Sequence, residues 1–131
     1  MDPESIGNLL GVLPTSTLPI DLTSRYRRRR EWNLWRWSTE TIIESCDNLE
    51  HLRAIIERLN GRENQLATLR AQGCQTDIFC YWISSGQGGP YLDISTIRAL
   101  ATLGLDIAWD MYFGDESEYN EDGSRRSPRG A

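Results

Sequence analysis

Residues 74–113, "CQTDIFCYWISSGQGGPYLDISTIRALATLGLDIAWDMYF", decide the fold. Residues 74–84 are rich in β-branched and aromatic side chains and contain no breaker, which predicts a strand. A glycine-rich loop, residues 85–90, follows it. Asp93 or Ser95 then caps a helix with Ile94, Ile97, Leu100 and Ala101 on one side, and Gly104 ends it. Residues 105–113 alternate. Leu105, Ile107, Trp109, Met111 and Phe113 face one way; Asp106, Ala108, Asp110 and Tyr112 face the other. That pattern predicts a strand with one wet face. Strand, helix and strand in this order predict parallel strands joined by a right-handed crossover.

Moving toward the N-terminus, Asp47 opens a helix with Glu50 three residues on, a capping-box spacing. Leu49, Leu52, Ile56 and Leu59 recur at helical period, and Asn60-Gly61 interrupts them. A second segment, residues 62–72, carries Leu66 and Leu69 and stops at Gly73. These segments form one bent helix or a helical hairpin. Residues 32–38 read as a strand with Trp35 and Trp37 on one face and Trp32, Leu34 and Arg36 on the other. A short strand is also expected near Leu18–Leu22. The first element is a helix over residues 2–10: Asp2 caps it, Pro3 suits its first position and Gly11 suits the position past its end. Its Asp2, Ser5, Ile6 and Leu9 echo Asp93, Thr96, Ile97 and Leu100, which suggests equivalent helices packed on one sheet.

A chain of 131 residues is one domain by length and needs no disulfide or metal for a core. The expected division is a single domain over 1–114 and a disordered polar tail over 115–131, where apolar periodicity ends. No apolar run approaches the roughly 18 to 20 residues of a membrane span. The N-terminus lacks the basic and apolar regions of a signal peptide. The expectation is a soluble, cytoplasmic protein. Cys46, Cys74 and Cys80 are an odd count without regular spacing, so free thiols are expected.

The charge is uneven. The net charge is −5, yet residues 25–37, "RYRRRREWNLWRW", hold six arginines against one glutamate. An acidic remainder disfavours broad nucleic-acid binding, while a local basic patch is still able to act. All 14 basic residues are arginine, so clustering is partly compositional. Four consecutive arginines, Arg27, Arg28, Arg29 and Arg30, cannot all face inward from a regular element, so all four are expected to be exposed. With Trp32 they form a candidate partner contact. Three readings stay open: an exposed loop feeding a core strand, a surface for a protein partner, and a grip on phosphates and bases.

Catalytic constellations are not evident. The lone histidine, His51, lies between Leu49 and Leu52 on an amphipathic pattern and reads as a boundary residue. No cysteine–histidine spacing suits a metal, and no metal or cofactor is expected. Asp106 and Asp110 share a strand face roughly 13 Å apart, too far for an acid–base pair, and Asp77 is able to join them from a neighbouring strand. Gly86, Gly88, Gly89 and Pro90 lack the Lys-Ser/Thr of a phosphate loop and read as a turn needing positive φ. A small-ligand pocket beside that turn, lined by Trp82, Gly88, Gly89 and Trp109, is the alternative.

The "DPESIGNLLGVLPT" opening, the "W.W" strand, "CYWISSGQGGPYLD" and "LATLGLDIAWDMYF" together resemble the bacterial domain-of-unknown-function family 4279 over roughly residues 2–113. The resemblance implies a small stand-alone α+β protein and carries over no catalytic residue. It also implies a strand before the first helix. The residues here begin at that helix: either the strand is absent or the start is an internal one, and if it is absent an unpaired sheet edge is expected, open to a partner strand or to dimerisation. The fold expected is α+β: a mixed sheet of three to five strands, helices mainly on one face, in a split β-α-β-like arrangement. The function expected is non-enzymatic binding to a protein partner or to itself, one form being an immunity or antitoxin-like factor that neutralises a partner. Small-ligand sensing and nucleic-acid binding through residues 25–37 are the alternatives. No membrane partner is expected.

Overall fold

The computed structural model describes residues 1–23, 30–84 and 88–114. Their elements are α1 (Pro3–Leu10), β1 (Ser16–Leu18), β2 (Leu34–Arg36), α2 (Asn48–Arg58), α3 (Glu63–Ala71), β3 (Asp77–Ser84), α4 (Ile94–Leu103) and β4 (Asp106–Phe113). The fold is α+β. Arg27, Arg28, Arg29 and the expected tail over 115–131 lie outside the described residues, as do residues 85–87 of the glycine-rich loop.

β3 and β4 run parallel in register, from Asp77 opposite Asp106 to Ser84 opposite Phe113, with α4 as their connection. β1 and β2 are antiparallel, with Thr17 opposite Trp35. The single mixed sheet of three to five strands is thus corrected: among the described residues there are two separate sheets of two strands each. The cause is local. Pro14 and Pro19 bracket β1, and neither has an N–H to extend a ladder. β2 ends where the amide of Ser38 turns to the Thr15 hydroxyl at 3.0 Å. β3 also starts later than its composition suggests. Gly73, at φ 87°, and Cys74, whose amide donates to the Leu69 carbonyl at 3.0 Å, still belong to the end of α3.

Two apolar clusters form the core. One gathers Leu10, Val12, Leu59, Leu66, Leu69 and Leu103, with Trp35 and Trp37 against it. The other joins Leu52 of α2, Ile78 of β3 and Leu100 of α4. Ile55, Ile56 and Leu105 pack against both, so α2 links the β3–β4 layer to the rest. Fully burying a leucine stabilises by about 2 kcal/mol, which makes these helix faces the main source of cohesion. Helices cover one face of β3–β4, while Phe79 and Tyr81 point away from them and are exposed.

The echo between α1 and α4 is structural. Asp2 accepts from the Ser5 amide at 2.9 Å, and Asp93 from the Thr96 amide at 2.8 Å. Each helix ends on a left-handed glycine, Gly11 at φ 66° and Gly104 at φ 71°. An arginine from an end of α3 lies over each glycine, Arg62 over Gly11 and Arg70 over Gly104. The helices do not share a sheet, however. α1 packs against β2 and α3, whereas α4 packs against α2 beneath β3–β4. α3 stands between them, and its two end arginines close both helix termini.

Candidate functional site

Surfaces that bind partners are apolar patches a monomer leaves uncovered. The β1–β2 ribbon carries such a patch. All three residues of β1 are exposed, and the chain beyond it stays open at Ile20 and Leu22. Leu13 is 83% exposed and Trp32 is 67% exposed, so neither joins the core. Leu18, Ile20 and Leu22 alternate as a strand face should, and among the described residues they are left exposed, increasingly so from Leu18 to Leu22.

Polar bonds hold this ribbon in place. The Asn33 side chain accepts from the Ile20 amide at 2.9 Å and donates to the Met1 carbonyl at 3.2 Å. It therefore ties both ribbon strands to the start of α1. Asp21 and Arg30 exchange backbone bonds at 2.9 and 3.0 Å, an isolated antiparallel bridge that continues the ribbon. Arg30 is half-buried there, so the expectation that all four consecutive arginines are exposed does not hold at Arg30. The bridge brings residues 21 and 30 side by side, and the sequence between them holds Arg25 and Arg27–Arg29.

An open groove of about 780 Å³ runs between α1 and β1, with Asp2, Glu4, Gly7, Val12, Pro14 and Pro19 among its walls. Gly7 forms its floor beside the indole of Trp35: a Cβ there would stand 3.4 Å from Trp35 Nε1. The groove reaches the ribbon at Thr17 and Pro19, and it is acidic at its α1 end, where Asp2 and Glu4 line it.

Of the expected small-ligand pocket, the two tryptophans share one face of the sheet. Trp82 and Trp109 are half-buried, on the helix-facing side of β3–β4, where Trp109 pairs with Cys80 and Trp82 with Met111. Gly88 and Gly89 are exposed with open space where side chains would stand, and Gly88 has φ 112° as the turn reading expects. Asp77 does stand opposite Asp106, on the face that also carries Asp110. Among the described residues no group of histidines, cysteines or carboxylates is placed to hold a metal ion. Cys46, Cys74 and Cys80 are free thiols as expected; Cys74 and Cys80 are half-buried, while Cys46 is exposed and so is not the small buried hydrophobe a free cysteine usually makes. Burial pushes the Cys80 thiol up to about 11, which keeps it protonated.

His51 is a fastening. Its Nε2 donates to the Ser45 carbonyl at 2.7 Å, and its Nδ1 lies 2.7 Å from the Thr39 hydroxyl. A hydroxyl beside an imidazole suggests a nucleophile and its base. Thr39 is buried at 8% exposure, so its oxygen is not presented to a substrate. Its carbonyl instead accepts from Ile42 and Ile43, and the cluster holds the 39–45 turn against α2.

Sequence reasoning marked Trp32 and the arginine run but missed Leu13, Leu18, Ile20, Leu22 and the groove. One signal was present: Pro19 within an alternating apolar run marks an edge strand. No helix among the described residues is long and apolar enough to cross a membrane. No curated protein and no solved structure matches the chain. One family model does match, described as Domain of unknown function (DUF4279), and it spans residues 1–114 of the 131. The chain therefore belongs to the DUF4279 family.

Proposed function

We propose that this protein is a non-enzymatic interaction module that docks a protein partner on the β1–β2 ribbon and the groove beside α1. The observation that carries the reading is Trp32, 67% exposed on a ribbon pinned by Asn33. A large exposed aromatic side chain is a frequent centre of a binding surface. Ile20 and Leu22, on the facing strand of the ribbon, supply exposed apolar area at the same end, and Arg30 supplies charge there. The partner this surface suits is an acidic protein with an apolar cleft. A partner-neutralising role, as of an immunity or antitoxin-like factor, is the form this takes when the partner is a toxic enzyme. Affinity capture from the native cell should recover one protein in stoichiometric amount, and Trp32→Ser should abolish the recovery. Recovery unchanged by Trp32→Ser would refute the reading.

A second reading has one observation in its favour. The Asp21–Arg30 bridge continues the β-ribbon as far as Arg30, the last of four consecutive arginines in the sequence, and basic ribbons suit nucleic-acid grooves. Mobility shift at low and moderate salt tests it. A shift lost on converting Arg27–Arg30 to alanine supports it, and no shift at low salt disposes of it.

A further inference from the structure

A parallel sheet of two strands is an unusual thing to leave uncovered, because parallel pairs are normally interior and flanked by further strands. Among the described residues no strand pairs with the outer edge of β3 or of β4. The two edges differ. From Ile78 to Ser84, "IFCYWIS", β3 carries no charge, no proline and no glycine. β4 carries Asp106 and Asp110. Native edges are usually blunted by charge or proline, and β3 has neither within that run.

We propose that β3 pairs antiparallel with β3 of a second copy, giving a two-fold sheet of order β4-β3-β3-β4. This goes beyond the ribbon reading and stands on a different surface. A two-fold axis normal to the sheet keeps the outer faces on one side, so opposed residues share a face. Centred on Cys80, the axis opposes Phe79 to Tyr81 and Ile78 to Trp82. Centred on Tyr81, it opposes Phe79 to Ile83. Neither register sets two carboxylates together. Each chain has net charge −5, so the seam with fewer acids along it is favoured. β3 brings one carboxylate per copy, Asp77 at its end, which the Cys80 register sets against Ile83. β4 brings two per copy: an axis at Ala108 opposes Asp106 to Asp110, one at Asp110 opposes that residue to itself, and one at Trp109 still leaves four carboxylates along the seam, which is less favourable. The β3 seam also joins Phe79 and Tyr81, 66% and 63% exposed, into one aromatic strip with Tyr112, whose ring centre is 5.4 Å from that of Tyr81.

Sedimentation equilibrium of the full chain, from about 1 µM to about 1 mM, tests the pairing. The expected result is a monomer–dimer equilibrium. Phe79→Lys and Tyr81→Lys place a charge in the seam at exposed positions and should each weaken the dimer about tenfold or more, with native melting retained. Ile97→Lys, on the exposed side of α4, should leave it unchanged. In the wild-type chain, hydrogen exchange across residues 78–84 should slow as concentration rises, while that across 106–113 stays constant. This readout needs no variant to fold. A monomer at every concentration overturns the proposal, as does a dimer indifferent to both lysines or one whose added protection falls on 106–113. A dimer abolished by Trp32→Ser, with exchange of 78–84 flat, assigns association to the ribbon and also overturns it.

Discussion

The guanidinium of Arg70 caps the end of α4: its Nη1 donates to the carbonyl of Gly104 at 2.9 Å and to that of Leu103 at 3.2 Å. A cation at a helix C-terminus meets the unsatisfied carbonyls and the negative end of the dipole together. Gly104 makes this geometry possible, because at φ 71° it turns the chain and a Cβ would stand against the guanidinium. Gly104→Ala should therefore cost about 2 kcal/mol, from the left-handed backbone and the displaced arginine. In an Arg70→Ala background the same change should cost about 1 kcal/mol, since only the backbone term remains. Urea titration of the four proteins checks both values.

The turn over residues 39–45 depends on His51. Replacing His51 by alanine leaves the Thr39 hydroxyl and the Ser45 carbonyl without their partner. A loss of about 1 to 2 kcal/mol is expected, and Thr39→Val should lose a similar amount. The two changes should be strongly non-additive in a double-mutant cycle, because each breaks the same bond.

Acid should unfold the protein partly through its helix caps. The bond from Thr96 lowers the pKa of Asp93 below its ordinary 3.8, with help from Arg53, and the bond from Ser5 does the same for Asp2. Both are depressed carboxylates. Their contribution is present above the unfolded value and is lost as pH falls through the folded value. Asp93→Asn keeps a capping side chain but no charge, so the acid limb of a stability–pH curve should flatten. An acid limb unchanged from wild type would be the contrary result.

The thiols should react unequally. Cys46 is exposed, whereas Cys80 is pushed up to about 11 by burial. The thiolate is the reactive form, so iodoacetamide at pH 8 should label Cys46 first and Cys80 only on unfolding. Above the ordinary thiol value of 9.0 the unfolded Cys80 ionises while the folded one does not, so stability should decline as pH rises from about 9 toward 11.

Local signals carried most of the fold. The β3-α4-β4 unit was legible because alternation, an aspartate cap and a left-handed glycine are each written within a few residues. The tryptophans in and beside β2 divided as alternation implies, with Trp35 and Trp37 against the core and Trp32 outside. What failed was non-local. No pattern within β1 states which strand it pairs with, so two small sheets were read as one. Met111 and Phe113 sit on the face that alternation assigns inward, yet both are exposed. β4 outruns the helices beneath it, and helix length does not appear in the strand's own sequence. The candidate surface was half legible for the same reason. A short strand was expected near Leu18–Leu22, and only the three-dimensional arrangement shows that its apolar side chains stay exposed among the described residues.

Contact at the ribbon is the central claim, and a photo-crosslinking amino acid at position 32 tests it most directly. With the protein expressed in its native cell, illumination should yield one discrete adduct at position 32. The same probe at Ile97, exposed on α4 away from the ribbon, should yield none, and removing Arg27–Arg30 should diminish the adduct at 32. Equal adducts at both positions, or no adduct at position 32, would contradict the account.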